Sequence, residues 1–412
     1  MPASRLNHIG EARPPKLRTG IPVWLGGSQR PFPATRLERN LKTDVAVIGG
    51  GISGALVTDA LLQAGLSVAA FDRKGFVSGS TPASTAMLQF EIDQPLTLLS
   101  KRIGHEKAAR AWWRSAAGVA RLGARIADLG LRCDFRERHA AYLPGNVLDL
   151  AGLRHEQAAR QRIGLRSEMI DREALMRLTG VDRPGAIWSA GAAEVDPVGL
   201  ARGVWRAAAQ RGAVLHAPVD IVDIAPGPRR VTLTTATGES ISAHHLVLAT
   251  GYELAKLLHP RGYKLISTWA LATKPQPEAL WPSRCLIWEA ADPYLYFRTT
   301  RDGRVVAGGE DAAFEDAAKR DKMIPAKVAR ISRKLGRLLS GLDVTPEFSW
   351  AGTFGESATG LPAIGAIPGA ARCYTVMGFG GNGITFSAIA AEMIQRAILG
   401  LPDPDQDLFR LD

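Results

Sequence analysis

The pattern of apolar and polar positions predicts that an extended segment precedes a strand–turn–helix–strand unit. Residues 43–48 are mostly apolar and β-branched, which is typical of a parallel strand buried on both faces. The glycine-rich segment 49–54 comes next, followed by a helical pattern that stops at Gly65. A second apolar run, residues 67–71, completes a unit of about thirty residues.

The remaining patterns predict helices and strands of two kinds. Helical spacing of apolar residues predicts helices over 104–130, 147–163, 171–179, 196–211, 326–339 and 385–399. Apolar or alternating runs predict strands over 133–143, 216–224, 245–250, 265–273, 286–289, 294–299, 305–309 and 373–377, with a hairpin over 231–242. Buried parallel-type strands therefore flank a group of antiparallel strands in the middle of the chain.

This order predicts an α/β protein of two domains, which suits a length of 412 residues. We expect a Rossmann-type dinucleotide-binding domain with a parallel sheet and a substrate domain built on an antiparallel sheet. An extended basic arm, residues 1–42, precedes them, with Trp24 packed on the body. The first domain is discontinuous and comprises residues 43–100, 196–262 and 356–400. The substrate domain comprises residues 101–195 and 263–355.

The net charge of +11 is concentrated in the arm. Residues 1–42 contain eight Lys or Arg and two Glu, so they carry +6 and the rest of the chain carries +5. Charges of both signs alternate elsewhere, as in residues 102–114, which is typical of solvated helix faces. Nucleic acid is therefore not expected as a partner. The arm either wraps around the body or contacts a membrane or a partner.

Cysteine and histidine spacing excludes several classes of protein. The three cysteines lie far apart and the eight histidines have no ligand spacing, so neither a disulfide framework nor a metal site is expected. The polar residues 1–20 do not resemble a secretory signal, and no apolar stretch predicts a transmembrane segment. We therefore expect a cytoplasmic protein with reduced thiols.

The glycine turn after the first strand is the strongest chemical signal. Gly49 permits the tight turn, Gly51 lets the backbone approach a pyrophosphate, and Gly54 lets helix and strand pack closely. The helix that follows offers free N–H groups to phosphates. Asp72, at the end of the second strand, is placed to bind ribose hydroxyls and would repel a 2′-phosphate. This unit alone allows either NAD or FAD.

Two further segments favour FAD. Residues 79–86 form a stretch of small, hydroxyl-bearing residues, which would allow the close polar approach that a buried pyrophosphate and ribityl chain need. The second glycine turn, residues 378–383, opens a helix. The positive end of that helix would stabilise charge on the O2 and N1 edge of a reduced isoalloxazine ring.

These segments together resemble the D-amino-acid-oxidase-type family of FAD-dependent oxidoreductases. That family includes glycine, sarcosine and γ-glutamylputrescine oxidases and D-amino-acid dehydrogenases. The resemblance covers roughly residues 43–400 and is carried, in order, by VAVIGGGISG (45–54), Asp72, GSTPASTA (79–86), LVLATGY (246–252), YLYFRTTRDGRVVAGGED (294–311), TGLPAIG (359–365) and GFGGNGI (378–384).

The resemblance implies FAD as the cofactor and direct hydride transfer to flavin N5 from the carbon next to an amine nitrogen. Such chemistry asks the protein mainly for orientation and desolvation. The expected cofactor-binding residues are Gly49, Gly51, Ile52, Ser53, Gly54, Asp72, Arg73, Ser80, Thr81, Ser84, Thr85, Ala86, Val219, Thr250, Gly251, Gly380, Gly381, Asn382, Gly383 and Ile384.

Four positions depart from the family pattern. Phe354 stands where glycine oxidases place a carboxylate-binding arginine, and Thr385 stands where sarcosine oxidases place a lysine. A larger amine is therefore expected rather than a small amino acid. Gly352 aligns with the cysteine that carries covalent flavin, so FAD is expected to be non-covalent. Val306 aligns near the lysine that promotes reaction with oxygen, which favours slow oxygen reaction or another acceptor.

Residues 294–298 are the leading candidates for the substrate face and the catalytic site. Tyr294, Tyr296 and Arg298 alternate along a predicted strand and would project to one side, where two aromatics and a guanidinium can hold a carboxylate or carbonyl. The alternative is a structural arginine beside core tyrosines. Further residues on neighbouring strands could wall the pocket or simply pack the sheet: Trp269, Trp288 and Glu289.

The sequence thus predicts an FAD-dependent amine or amino-acid oxidase or dehydrogenase that converts a C–N bond to an imine, which then hydrolyses. The partners expected are a small amine and an electron acceptor, either O2 or a respiratory or protein acceptor. Two alternatives remain open. One is a flavoprotein subunit that passes electrons to a partner protein, and the other is an oxidoreductase acting on a modified RNA base.

Overall fold

A computed structural model describes residues 16–27, 30–253, 258 and 262–411. The strands are β1 (Arg18–Gly20), β2 (Leu41–Ile48), β3 (Val68–Phe71), β4 (Met87–Leu88), β5 (Arg136–Leu143), β6 (Ser167–Asp171), β7 (Gly185–Glu194), β8 (Val214–His216), β9 (Ile221–Pro226), β10 (Val231–Thr235), β11 (Ser240–Leu248), β12 (Lys264–Thr273), β13 (Leu286–Glu289), β14 (Leu295–Thr299), β15 (Val305–Ala312), β16 (Pro346–Glu356), β17 (Ala363–Ala366) and β18 (Cys373–Met377). The α-helices are α1 (Ile52–Gln63), α2 (Leu96–Ile103), α3 (His105–Asp128), α4 (Leu150–Arg162), α5 (Arg172–Thr179), α6 (Pro197–Gln210), α7 (Ala317–Lys322), α8 (Ile324–Leu338) and α9 (Gly383–Ile398).

The smaller sheet has a parallel centre, as predicted for a Rossmann-type domain. Its strand order is β17-β18-β11-β2-β3-β8, with β10 pairing β11 and β9. Strands β11, β2, β3 and β8 pair in parallel, and β18 joins β11 in parallel. The carboxyl ends of β2, β3 and β11 therefore meet at one edge, which is where parallel sheets bind ligands.

Helix α1 is buried along most of its length because it lies between this sheet and helices α6 and α9. Its apolar residues Ala55, Val57 and Leu61 pack in a hydrophobic cluster that also contains apolar residues of α6 and α9. The chain leaves the helix through Gly65, whose φ of +77° is the left-handed conformation expected at a helix stop. The predicted end of this helix is therefore confirmed.

The larger sheet is mostly antiparallel, with the order β1-β16-β12-β15-β14-β13-β5-β7-β4 and with β6 paired to β7. Strand β13 is an exception, since it pairs in parallel with β5. Helix α8 covers one face of this sheet with Val328, Ile331 and Leu335. The predicted fold class, a parallel dinucleotide-binding sheet with a second antiparallel sheet, is confirmed.

Two long strands of the larger sheet are absent from the sequence prediction. Strand β7 contains four alanines and two glycines, which have low β-propensity, and it is a strand because β5 and β6 pair with it on either side. Strand β16 pairs along its length with β12, from Lys264↔Glu356 to Thr273↔Pro346. Both strands depend on partners that are distant in the sequence.

The arm and one short segment join the larger sheet in ways the predicted domain limits do not describe. Arg18, Thr19 and Gly20 of the arm form β1 and pair with the β16 edge. Residues Met87–Leu88 belong by prediction to the first domain, yet they pair with β7. No helix among the described residues is long and apolar enough to cross a lipid bilayer.

Candidate active site

A cavity of about 1040 Å³ is lined by residues of both sheets. Its turn end is defined by the residues Gly49–Ser53, Phe71–Lys74, Val219–Ile221 and Ala249–Glu253, which follow strands of the smaller sheet. Its sheet end is defined by Gln89, Asp93, Tyr142, Trp288–Asp292, Tyr294, Tyr296, Asp311, Phe354 and Glu356. Residues 78–81, 83–86, 379–381, 383 and 384 line the cavity between the two ends.

Each glycine of the turn after β2 has a separate physical role. Gly49 has φ of +120°, and a Cβ there would lie 2.2 Å from the carbonyl oxygen of Ala249. Gly51 is the residue before α1, and it faces the cavity with only the Thr81 hydroxyl 3.2 Å from its virtual Cβ. Gly54 does not line the cavity, because its virtual Cβ would lie 1.9 Å from the Gly49 carbonyl oxygen. Gly54 is thus a packing residue, as its place in the motif predicts.

The carboxylate of Asp72 holds the turn end together. Its Oδ2 accepts a hydrogen bond from the Gly50 amide at 2.7 Å, and its Oδ1 accepts from Lys74 at 2.7 Å and Gly75 at 2.8 Å. Asp72 also lines the cavity, where further lone pairs can accept from hydroxyl groups. Arg73, another expected cofactor residue, lines the cavity and pairs with Glu253.

Three side chains fix three consecutive carbonyl groups in the loop 79–86. The indole nitrogen of Trp350 donates to Ala83 at 2.9 Å, that of Trp24 donates to Ser84 at 2.8 Å, and Nε of Arg298 donates to Thr85 at 2.7 Å. These hydrogen bonds fix the backbone of the loop, while residues of the same loop line the cavity. The expected residues Ser80, Thr81, Ser84, Thr85 and Ala86 all line the cavity.

The second glycine turn delivers the N-terminus of α9 to the cavity. Gly380 has φ of +56°, and the Gly381 amide donates to Asp93 at 2.6 Å. Asn382 is buried and does not line the cavity, because its side-chain amide donates to the carbonyls of Gln89 and Glu91. Asn382 thus fixes the turn. The remaining expected residues line the cavity as a group: Gly49, Gly51, Ile52, Ser53, Val219, Thr250, Gly251, Gly380, Gly381, Gly383 and Ile384.

Arg298 lies outside the cavity lining, contrary to its predicted place on the substrate face. Only 2% of the residue is exposed. Its guanidinium donates to the carbonyls of Thr85 at 2.7 Å, Val195 at 2.7 Å and Thr299 at 3.0 Å. The structural alternative is therefore the correct one for Arg298. The strand alternation was read correctly, but the guanidinium of Arg298 is held by three backbone carbonyls and lies 3.7 Å from the Glu194 carboxylate, so it does not face the cavity.

Tyr294 and Tyr296 do line the sheet end of the cavity. Their rings stack with centroids 5.6 Å apart, and the Tyr294 hydroxyl donates to Asp311 at 2.7 Å. Trp288 also lines the cavity and stacks on Tyr142 with centroids 3.8 Å apart. Two pairs of aromatic rings thus form walls of the sheet end.

Of the other two candidates for the pocket wall, one lines the cavity and the other is buried. Glu289 lines the cavity, whereas Trp269 is fully buried and donates from its indole nitrogen to the carbonyl of Arg320. Phe354 lines the cavity at the position expected for a carboxylate-binding arginine. Thr385 and Val306 are buried and lie outside the lining. Val306 therefore gives no information about reaction with oxygen.

Sequence reasoning missed three carboxylates at the sheet end: Asp93, Asp311 and Glu356. Asp93 is an exposed residue that lines the cavity. Loss of hydration raises the pKa of Asp93 to about 6, the Gly381 amide opposes this rise, and the nearby charges of Asp311 and Glu356 add to it. Burial also raises the pKa of Asp311. The sequence did contain an indication that Asp311 is functional, because it ends the family motif of residues 294–311.

The comparisons with known proteins agree with this geometry. The model of the FAD dependent oxidoreductase family matches residues 44–397. A γ-glutamylputrescine oxidoreductase from Escherichia coli (strain K12) is 23% identical over 377 residues, covering 89% of this chain and 86% of the relative. A glycine oxidase from Bacillus licheniformis is 26% identical, covering 87% and 94%. Among solved structures, the glycine oxidase of Geobacillus kaustophilus has a TM-score of 0.74 at 20% identity, covering 90% of this chain and 99% of that one.

The chain therefore belongs to the FAD-dependent oxidoreductase family that the sequence motifs indicate, and it is an enzyme. The predicted cofactor, FAD, is confirmed by this membership. The described residues that line the cavity fit FAD. The turn end offers an N-terminal helix turn to a pyrophosphate and Asp72 to ribose hydroxyls, and the cavity volume is at the upper end of the range for ligand sites.

Proposed function

We propose that the enzyme oxidises a C–N bond of an amine or amino-acid-like substrate at the sheet end of the cavity. One observation carries the proposal. A single cavity joins a glycine turn suited to a dinucleotide with an aromatic, carboxylate-lined pocket on the antiparallel sheet. The relatives named γ-glutamylputrescine oxidoreductase and glycine oxidase, whose names denote an amine and an amino acid, support it.

FAD, when bound, supplies an acceptor for the hydride that leaves the carbon next to the amine nitrogen. The substrate loses that hydride and a proton from nitrogen, so it becomes an imine, which water cleaves to a carbonyl compound and an amine or ammonia. The chain itself provides position and exclusion of water. Tyr294 is fixed by Asp311, and Trp288 is fixed by its stack on Tyr142, so these walls can orient an alkyl amine.

The loop 79–86 and the α9 turn would hold the flavin between the two ends. The three fixed carbonyl groups of residues 83–85 keep the loop in one conformation before FAD arrives. The N-terminus of α9 presents its positive end to the cavity, which would stabilise negative charge there. We propose that FAD is non-covalent, because Cys133, Cys285 and Cys373 are all buried and none lines the cavity.

The test is the anaerobic titration of the purified yellow holoenzyme with a panel of amines and D-amino acids, in which the loss of visible flavin absorbance reports reduction of the flavin. Bleaching by at least one amine is the expected result. A holoenzyme that no amine bleaches, although dithionite reduces it, would contradict C–N oxidation. Re-oxidation of the bleached enzyme with air or with a quinone then identifies the class of acceptor. Acid precipitation should leave the flavin in the supernatant.

A further inference from the structure

The carboxylates of the sheet end come together because of strand direction. Glu289 ends β13, Asp311 lies next to the end of β15, and Glu356 ends β16. Strands β15 and β16 are both antiparallel to β12, and β13 and β15 are both antiparallel to β14. The three strands therefore run in one direction, and their carboxyl ends meet at the same edge of the sheet.

Two further acidic residues, Asp93 and Asp292, join them in the lining of the sheet end. Among the described residues, no Lys, Arg or His lines this end. The cavity's basic residues Arg73 and Lys74 belong to the turn end, where both pair with Glu253. The sheet end is thus strongly anionic, whereas a pocket for a substrate carboxylate would need a cation.

The protein compensates this negative charge only in part. Glu289 has Arg183 3.9 Å away and is also influenced by the charge of Lys334. Asp311 accepts from Tyr294 and is influenced by the charge of Lys327, and Asp93 accepts from the Gly381 amide. The backbone of Glu356 pairs with Lys264 of β12, but its carboxylate has neither a hydrogen bond nor an ion pair with any described residue. A cationic ligand would relieve the repulsion between these carboxylates, because each disfavours ionisation of its neighbours.

The aromatic walls suit the same ligand. The pairs Tyr142–Trp288 and Tyr294–Tyr296 line the sheet end beside the carboxylates. An ammonium group is attracted to aromatic faces as well as to carboxylates, and the attraction is stronger in a desolvated pocket. Phe354 adds an apolar surface for an alkyl chain. Rings and carboxylates together form a site for a cationic, partly apolar molecule.

We infer that the sheet end selects an aliphatic diamine or polyamine that carries a second ammonium group and no carboxylate. This inference rests on the proposed function, since it names the substrate class of the same cavity. One nitrogen is attached to the carbon that is oxidised, and the distal ammonium group lies among the carboxylates. Amino acids such as glycine are disfavoured, because their carboxylate would face Asp93, Asp311 and Glu356 without a partner.

The experiment compares three probes of equal chain length on the FAD-loaded full chain: 1,4-diaminobutane, 1-aminobutane and 4-aminobutyrate. Binding is measured by calorimetry and by perturbation of the flavin spectrum, and oxidation is measured by anaerobic bleaching. The diamine is expected to bind about tenfold or more tightly than the monoamine, with 4-aminobutyrate weaker still. Equal or tighter binding of the monoamine or of 4-aminobutyrate overturns the inference.

Isosteric variants show which carboxylates cause the preference for the diamine over the monoamine. Glu356→Gln and Asp311→Asn remove charge while keeping shape, and Asn can still accept from Tyr294. Each should reduce the preference for the diamine over the monoamine severalfold, whereas the control Glu173→Gln, on the exposed start of α5, should not. A preference that survives in both variants overturns the inference.

The two proposals fail separately. Tight diamine binding without any bleaching contradicts the proposed oxidation but supports the selection of a dication. Bleaching that is fastest with 4-aminobutyrate or glycine supports the oxidation of an amine but overturns the diamine.

Discussion

The indole nitrogen of Trp24 lies 2.8 Å from the carbonyl oxygen of Ser84, so the arm that precedes the first domain is hydrogen-bonded to the loop expected to hold the flavin. The same indole ring lies over the guanidinium of Arg298, 4.9 Å from its centre. Arg298 in turn donates to Thr85, the next residue of the loop. Arm, buried arginine and loop therefore form one connected unit.

Trp24→Phe should weaken FAD binding about fivefold, because it removes one hydrogen bond, worth about 1 kcal/mol, while keeping an aromatic ring over Arg298. The dissociation constant of FAD, measured by fluorescence on the apoprotein, checks this. Trp113→Phe is the matched control, because Trp113 is exposed and donates to Ile163, outside the cavity lining. Equal affinities for the wild type and Trp24→Phe would show that the arm does not position the loop.

Arg298→Gln should destabilise the protein by about 2 kcal/mol or more, because it leaves the carbonyl groups of half-buried Thr85 and buried Val195 without their donor. Urea denaturation measures the loss. The order in which amines bleach the flavin should stay as in the wild type, since Arg298 does not line the cavity. Arg301→Gln, at an exposed ion pair with Asp134, is the control and should have little effect. A changed amine preference without a loss of stability would return Arg298 to the substrate face.

Gly54→Ala should abolish FAD retention or folding, because the new Cβ would lie 1.9 Å from the Gly49 carbonyl oxygen and the turn would have to move. Overpacking of this kind costs about 1–3 kcal/mol or more. The flavin-to-protein absorbance ratio and the melting temperature measure the effect. Gly341→Ala, where no atom lies within 4 Å of the new Cβ, should behave as the wild type. A Gly54→Ala protein with full flavin content would contradict this account of the turn.

Binding of 1,4-diaminobutane should become about tenfold tighter as the pH rises from about 5 to about 7.5, a range in which both of its amines stay protonated. The pKa of Asp93 is raised to about 6, so its carboxyl group is neutral at the lower pH and attracts a cation only above that value. Asp311, Glu356, Tyr294 and Tyr296 share this end of the cavity, and burial holds the pKa of both tyrosines above this range.

Asp93→Asn tests the assignment of this pH dependence. Its side-chain oxygen can still accept from the Gly381 amide, so the turn before α9 should remain in place. The dissociation constant of the diamine, measured by calorimetry across the same pH range, should depend less on pH in this variant than in the wild type, while burial of Asp311 and Glu289, which raises the pKa of both, leaves them to contribute the remainder. An unchanged pH dependence would assign the titration to another group.

Sequence patterns predicted the smaller sheet well because its signals are local. The run 43–48, the turn at Gly49–Gly54 and the stop at Gly65 follow one another directly, and each has a distinct steric requirement. The strands of the larger sheet are harder to predict. Strand β7 is rich in alanine and glycine, and β16 pairs with strands far away in the sequence, so neither has a sufficient local pattern.

The candidate site could be predicted where backbone geometry defines it and not where distant side chains define it. Most residues of the loop 79–86 and of the turn 378–383 line the cavity as expected, with Asn382 an exception that fixes the turn instead. Alternation alone placed Arg298 beside Tyr296, but the backbone carbonyls that surround Arg298 come from residues 85 and 195. The acidic cluster was missed because Asp93, Asp311 and Glu356 are brought together only by the strand order of the larger sheet and the turn before α9.

The pairing of β1 with β16 also orders events during synthesis of the protein. Arg18 leaves the ribosome long before its partner Gly352, because the two residues lie far apart in the sequence. The edge on which the arm docks, and the Trp350 side chain that supports Ala83, are therefore the last parts of this unit to become available. A nascent chain can form the glycine turn early, yet the loop beside it acquires its full support only after β16 has been synthesised.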